Sequence, residues 1–311
     1  MSRRRSTDGP DGLAVVDKAA GWTSHDVVAK SRGLLGTRKV GHSGTLDPDA
    51  TGILLLGVGR VTRLLRFLTA LSKTYTCEIV LGVETSTLDD SGTVTATHDM
   101  SGVSAEAVRA AAAGLTGAIL QVPPMVSAVK IDGRRLHELA REGIEVERAA
   151  RPVTVHRFVV APVAGNPLRY RAEVACSSGT YVRTLAADLG AALGGGAHLR
   201  DLRRTEIGSF GLGEAHPLEA LGPELLLSPA AALRDYPAVV VAGDEVTAVG
   251  HGKVLLAEDR FAGSGPWRVL DPDGRLLAVY AAHRDGMVKP EVVVAPVDGS
   301  GPTSSSAPAQ R

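Results

Sequence analysis

From Thr74 to Leu81, Tyr75, Cys77, Ile79 and Leu81 alternate with Thr74, Thr76, Glu78 and Val80, which puts the four larger apolar positions on one face. A period of two predicts a half-buried strand. Leu168 to Cys176 alternates in the same way. The unbroken apolar run from Ile53 to Val58 reads as a buried strand, and Leu13 to Asp17 as a short one. Elsewhere the period lengthens. Leucines at 64, 65, 68 and 71 predict a helix over 62–71, and Tyr181, Leu185 and Leu189 predict one beginning near 181, with Arg183 in its first turn. Ser24 reads as the cap of a helix through Val27, Val28 and Ser31, and Ser104 as the cap of an Ala-rich helix that ends near Gly114 and Leu115.

Three stretches break this order. Between 130 and 151, Leu136, Leu139 and Ala140 form a thin apolar stripe among many charges of both signs. That pattern fits an exposed, mobile helical excursion and a solvated surface helix laced with ion pairs equally well. Residues 217–237 are rich in Pro, Leu and Ala and read as a linker with a helix. Residues 238–295 are short apolar runs split by turns, Asp273-Gly274 being a hairpin signal, and suggest a small all-β module. Residues 1–10 and 296–311 read as disordered tails.

A chain of 311 residues with 44% hydrophobic content suits about two domains. The formal net charge is zero, so no overall field draws the molecule to nucleic acid. Locally the balance differs. From Trp22 to Tyr75 eight basic side chains stand against three acidic ones, a surplus of +5 that suits an anionic substrate. The two cysteines, Cys77 and Cys176, fit neither a disulfide framework nor zinc spacing and read as small buried residues. The charged start has no apolar signal core, and no apolar run approaches the roughly 20 residues of a membrane helix, so a cytoplasmic location is expected.

The candidate chemistry centres on Gly41 to Gly52, GHSGTLDPDATG. Its glycines permit turns other residues resist, and Pro48 pushes Asp47 toward an extended conformation just before the buried run. Asp47 on this stiff loop reads as a nucleophile, as a general base, or as an ordinary turn residue. Other chemistries fit poorly. Gly57 and Gly59 lack the third glycine of a dinucleotide loop, and no phosphate-binding Gly-Lys-Ser/Thr segment occurs. The serine at 43 has the wrong spacing for a nucleophile elbow. The nine histidines form no i,i+4 pair. Asp89 to Gly92 reads as a plain turn, and Asp47 with Asp49 makes a poor glycosidase pair.

Six segments taken together resemble one family. They are Asp17–Ser24 (DKAAGWTS), Gly41–Gly52, Lys73–Tyr75 (KTY), Val122–Lys130 (VPPMVSAVK), Cys176–Thr184 (CSSGTYVRT) and Gly196–Arg204 (GAHLRDLRR). In this order, over roughly residues 11–215, they resemble the bacterial tRNA pseudouridine synthases of the TruB type, which isomerise uridine 55 of the TΨC loop. The resemblance implies Asp47 as the essential catalytic aspartate, Tyr75 as the ring that stacks on the flipped uracil, and Arg183 as the partner of Asp47. It further implies Leu202 lining the base pocket, His42 filling the space the base vacates, and Tyr181 and Lys18 as motif residues beside the site. A guanidinium partner is expected to keep the carboxylate charged. The implied fold is α+β, a mixed and mainly antiparallel sheet flanked by helices over 11–216, with an RNA-facing insertion at about 124–151 and a PUA-like β domain at 238–295. The implied partner is tRNA, through its T arm and acceptor stem, bound by a monomer without cofactor, metal, membrane or protein partner. The chain departs from the family at Ala19-Ala20, where proline often follows the lysine, at Val126, where tyrosine is common, and at Thr85–Asp89.

Overall fold

The computed structural model describes residues 9–294 except 128, 129, 132, 133, 136–138, 140, 141 and 145. Both tails, apart from a few residues beside the folded part, and much of the 130–151 excursion therefore lie outside the described residues.

The expected alternations become strands. In chain order the large sheet and its neighbours comprise β1 (Gly12–Lys18), β2 (Val40–His42), β3 (Thr51–Val58), β4 (Lys73–Leu81), β5 (Val83–Thr85), β6 (Val94–Thr97), β7 (Gly117–Gln121), β8 (Lys130–Ile131), β9 (Arg134–Arg135), β10 (Arg151–Val163), β11 (Asn166–Cys176), β12 (Ala197–Ile207), β13 (Phe210–Gly211) and β14 (His216–Pro217). One ten-stranded sheet runs β14-β1-β3-β12-β4-β11-β10-β7, with β2 paired to β3 and β13 to β12. Its pairings are antiparallel except β1 with β14 and β3 with β12. The helices that pack on it include α1 (Ser24–Leu34), α2 (Leu65–Ala70), α3 (Ala105–Gly114) and α4 (Val182–Ala192). The mixed α+β architecture is the expected one.

Three local differences stand out. The cap of α1 is Thr23 rather than Ser24: Thr23 and Asp26 form a reciprocal capping box. Ser24 is free to turn inward, where its hydroxyl bridges to the Asp47 loop. The 62–71 helix begins as a 3-10 turn, Gly59–Leu64, before α2 continues it. The 130–151 excursion opens with a two-stranded hairpin, β8 with β9, and Leu139 beyond it is helical as expected.

The helices sort the core. Tyr75, Cys77 and Ile79 of β4 pack with β10, β11, α3 and α4, and Leu46 and Ala50 of the Asp47 loop join that cluster. Burying one leucine side chain contributes about 1.5–3 kcal/mol, so Leu46 alone anchors the loop firmly. Val27 and Val28 of α1 cover the face of β1 and β3 that carries Ala14, Leu54 and Leu56. The opposite face, with Leu13 and Ile53, packs against Phe67, Ala232 and Leu233, and also against Leu276, Val279 and Val292.

Those last three belong to a second, five-stranded sheet built from β15 (Ala238–Val240), β16 (Leu255–Leu256), β17 (Trp267–Leu270), β18 (Leu276–Ala282) and β19 (Met287–Val293), in the order β15-β17-β18-β19-β16. Asp273-Gly274 lies in the turn between β17 and β18. The small C-terminal β module therefore shares apolar surface with the large sheet. The segment before it is packed too: Leu218 and Leu221 lie against Ala14, and Leu227 bridges to Leu13.

Candidate active site

A cleft of about 290 Å³ opens beside β4 and the start of α4, and Asp47, Tyr75, Tyr181, Arg183 and Leu202 all line it. Four of these five come from separate segments of the chain, so the sheet order has to bring them together.

The Asp47 loop is fixed through its backbone. Gly44 and Gly52 adopt φ of 94° and 98°, where side chains are strained. A Cβ on Gly52 would stand 2.1 Å from the carbonyl oxygen of Arg204, so the parallel β3–β12 pairing requires glycine there. Arg204 is itself buried. Its Nε donates to the Ile53 carbonyl at 2.7 Å and its Nη2 to the Gly44 carbonyl at 3.2 Å. The Ser24 hydroxyl donates to the Leu46 carbonyl and accepts from the Leu46 N–H. Lys18, fully buried, donates to the carbonyls of Ala19, Trp22 and Pro48 at 2.8–3.0 Å. Lys18 thus ties the first motif to the residue after Asp47 and does not line the cleft. Burial pulls its ammonium down to about 8, against the attraction of Asp49 and Asp47.

Arg183 meets Asp47 with two donors. Nε lies 3.0 Å from Oδ2, and Nη2 donates to Oδ1 at 3.2 Å. Further contacts hold the same group. Nη1 donates to the Thr87 carbonyl, Nη2 to the Val126 carbonyl, and Nε also lies 3.5 Å from Asp89 Oδ2. The Arg183 side chain is 5% exposed, whereas that of Asp47 is 38% exposed and opens to the cleft. A bidentate guanidinium held at all three of its nitrogens is rigid in a way an ammonium is not. Val126, where the family often carries tyrosine, contributes here through its backbone, so the side-chain change leaves this contact intact.

The electrostatics differ from expectation in one respect. Arg183 does favour the charged form of Asp47, but burial outweighs it, and the carboxyl sits above its ordinary range; Asp89 adds to the rise. Desolvation wins because the loop is packed on the apolar cluster under β4.

Tyr75 is buried on the cleft side of β4, its hydroxyl held protonated by burial and its side chain hydrogen-bonded by Arg204. Leu202 is half-buried and reaches the cleft because β12 bulges between Arg200 and Arg203. The bulge residue Asp201 has φ of 52°, a left-handed conformation that Asp tolerates and β-branched residues resist. Asp201→Val is expected to cost about 1–2 kcal/mol of stability in denaturant unfolding, with Asp201→Gly neutral within about 0.5 kcal/mol. Equal losses from both would sink this account of the bulge.

Tyr181 caps α4 at the edge of the cleft. His42 stands apart from the cleft lining. It lies edge-on to His25, ring centroids 5.3 Å apart, and its buried Nδ1 has no hydrogen-bond partner among the described residues. Burial, followed by the charges of His25 and Arg204, pushes its pKa down, favouring the neutral ring. Asp49 is exposed and lies outside this cleft.

Sequence reasoning missed several neighbours. Lys73 and Arg204 line the cleft beside Tyr75. Burial, reinforced by Arg204, brings the Lys73 ammonium down to about 8 while it donates to the Thr69 and Leu71 carbonyls. Asp89 is part of a turn, as expected, but a turn that faces Arg183. The signal for Lys73 was its place two residues before Tyr75. A buried arginine on a strand, such as Arg204, gives no such signal. Among the described residues no cluster of His, Cys, Asp or Glu could hold a metal, and no helix is long and apolar enough to cross a membrane.

Residues 32–182 match the N-terminal domain of the TruB family pseudouridylate synthases. Residues 183–235 match the tRNA pseudouridylate synthase B C-terminal domain, and 236–295 the tRNA pseudouridine synthase II C-terminal domain. The tRNA pseudouridine synthase B of Arthrobacter sp. (strain FB24) is 48% identical over 300 residues, covering 92% of this chain and 97% of the relative. The chain belongs to the TruB family of pseudouridine synthases. The Streptomyces coelicolor relative of the same name is 47% identical over 293 residues, covering 91% of this chain and 97% of its own. The fold extends further. A chain from a crystallised Cbf5-Nop10-Gar1 complex superposes with a TM-score of 0.72 at 24% identity, covering 92% of this chain and 86% of that one. The family enzymes are isomerases that make pseudouridine, and this chain is one of them.

Proposed function

We propose that this enzyme converts uridine 55 in the TΨC loop of tRNA to pseudouridine, with Asp47 as the catalytic carboxylate. The observation that carries the reading is the Asp47–Arg183 pair at one side of a cleft whose other walls include Tyr75 and Leu202. The relatives named above carry tRNA in their names, which supports the substrate class.

The chemistry follows from these residues. A uridine stacked in its loop is out of reach, so the base is extruded at a cost of a few kcal/mol. Stacking on the Tyr75 ring returns roughly 1–3 kcal/mol, and Leu202 closes the apolar side of the pocket. The N1–C1′ bond breaks, the base turns, and a C5–C1′ bond forms. The hydrogen at C5 moves away and one settles on N1, so atoms and electrons balance without redox change. Ionised Asp47, oriented by Arg183, serves the step in which the glycosidic bond is broken. In this reading Tyr181 walls the pocket, Lys18 braces the Asp47 loop, and His42 fills the space the flipped base vacates. Residues 11–216 perform catalysis, 217–237 connect, and 238–295 contact the acceptor stem.

The test is direct. Unmodified tRNA incubated with the enzyme should gain pseudouridine at position 55 of the T loop, read by chemical mapping. Modification elsewhere, or free uracil, would overturn the assignment.

The pH profile carries a second test. Catalysis needs the ionised carboxylate, so the rate falls as acid protonates Asp47. Burial raises its pKa, so the acid limb should lie at higher pH than for an ordinary aspartate. A limb at or below the ordinary value would contradict the burial argument.

A further inference from the structure

The segment that carries Arg183 is held from outside by both strands that flank the insertion, β7 and β10. At the outgoing foot stands Gln121, the last residue of β7 and 2% exposed. Its Oε1 accepts from the Tyr181 N–H at 2.7 Å, and its Nε2 donates to the Tyr181 carbonyl at 3.1 Å. At the returning foot, in β10, the Thr154 N–H donates to the Ser177 hydroxyl at 2.9 Å, and the Thr154 carbonyl accepts from the Ser177 N–H at 2.8 Å. The clamps hold Ser177 and Tyr181, and residues 177–183, which wall the cleft, include both of them, with Arg183 two residues past the second.

Gln121 matters because of what Tyr181 lacks. A helix start is ordinarily satisfied by a short oxygen-bearing side chain at the cap. Tyr181 caps α4 without any side-chain hydrogen bond, and its ring borders the cleft. The backbone N–H of Tyr181 finds its acceptor on Gln121 instead. Arg183 follows two residues later, in the first turn, where the helix dipole disfavours a cation. A small shift or fraying of this turn moves the guanidinium that must meet both oxygens of Asp47. The Val126 carbonyl, five residues beyond Gln121, accepts from that same guanidinium.

We propose that Gln121 is a positioning residue: by gripping the Tyr181 backbone it sets the start of α4, and hence the reach of Arg183 to Asp47, and it ties that reach to the strand from which the insertion departs. The assignment rests on the proposed function and adds a residue to it. Gln121 touches no reacting atom and acts through Tyr181 and Arg183.

A near-isosteric variant makes the test selective. In Gln121→Glu, a protonated carboxyl still accepts from the Tyr181 N–H and donates to the Tyr181 carbonyl. An ionised one cannot donate and places its charge against that carbonyl. Burial raises a glutamic acid, so the switch should fall between about pH 8 and about pH 6. Single-turnover pseudouridine formation on unmodified tRNA is measured for wild type, Gln121→Ala and Gln121→Glu, together with tRNA affinity. At about pH 8 both variants should be slower by about 10–100-fold, the scale of a misplacement near 1 Å. Their tRNA affinity should stay within about threefold of wild type. Acidification to about pH 6 should restore Gln121→Glu toward wild type and leave Gln121→Ala slow. The Gln121→Ala acid limb should also move to higher pH, because a misplaced Arg183 opposes the burial of Asp47 less.

A Gln121→Glu rate whose ratio to wild type is flat with pH overturns the proposal. So does a Gln121→Ala rate within about twofold of wild type, or a rate loss matched by loss of tRNA affinity. Should Gln121→Ala fail to fold, the glutamate variant still decides within one folded protein as pH changes. Wild type on the same tRNA separates the two readings: no conversion there fails the proposed function, while conversion with unresponsive variants fails only Gln121.

Discussion

Asp47→Asn is expected to abolish pseudouridine formation, by about 10⁴-fold or more in single-turnover rate, while leaving tRNA binding and the fold in place. That factor corresponds to about 5.5 kcal/mol of barrier. The loop should survive because its position does not depend on the carboxylate. Leu46 and Ala50 bury apolar surface on either side, and Ser24, Lys18 and Arg204 hold its backbone carbonyls. What changes is charge. An amide cannot ionise, and it presents an N–H₂ either to Arg183 or to the cleft. Chemical mapping of the T loop and a filter-binding measurement read the two halves of the prediction. A variant rate within tenfold of wild type would remove Asp47 from the mechanism.

Arg183→Lys should lose about 10²–10³-fold in rate, the scale of losing an oriented donor in a dry site, although the charge is kept. One ammonium cannot reach both Asp47 oxygens and the carbonyls of Thr87 and Val126 that the guanidinium serves at once. Arg183→Met goes further by removing the charge. Arg183 is the chief influence pulling the Asp47 pKa down, so its loss leaves burial and Asp89 pushing the carboxyl higher still. The acid limb of the Met variant should therefore move to higher pH than that of wild type, with some activity recovered in alkaline buffer. An unmoved limb would mean that the pair does not tune Asp47.

The two substitutions are expected to fail for different reasons. In the proposed mechanism Asp47 is replaceable as structure and irreplaceable as a charge. Arg183 is both: its five donor contacts also join the 85–91 turn and the root of the insertion to α4. The 85–91 turn is held in turn by β12, where His198 and Arg200 both contact Asp90. A turn that reads as punctuation in the sequence is thus one wall of the cation site.

Much of this was legible without coordinates. The alternation around Tyr75 placed its ring on the face with Cys77 and Ile79, because a strand has only two faces. The glycines at 44 and 52 marked a loop with special backbone angles, and both have them. Six motifs named the aspartate, the tyrosine and the arginine. Where the reading slipped, two residues competed for one local role. Thr23 took the cap from Ser24 because it alone could pair with Asp26 three residues on, and Ser24 found a tertiary partner instead.

The rest depended on neighbours that no local pattern encodes. Chain order cannot show that Arg204 lies under Tyr75 and beside Gly44, or that Gln121 grips a residue 60 positions away. Nor could it fix the state of Asp47. Opposite charge nearby argued for a lowered pKa, and burial, a property of the whole packed cluster, reversed the sign. The sequence by itself determined which strands and turns carry Asp47, Tyr75 and Arg183, because hydrophobic period and backbone restriction act over a few residues. Only the tertiary structure decided how far each lies from the next and how dry its surroundings are, because hydrogen bonds and desolvation act across space.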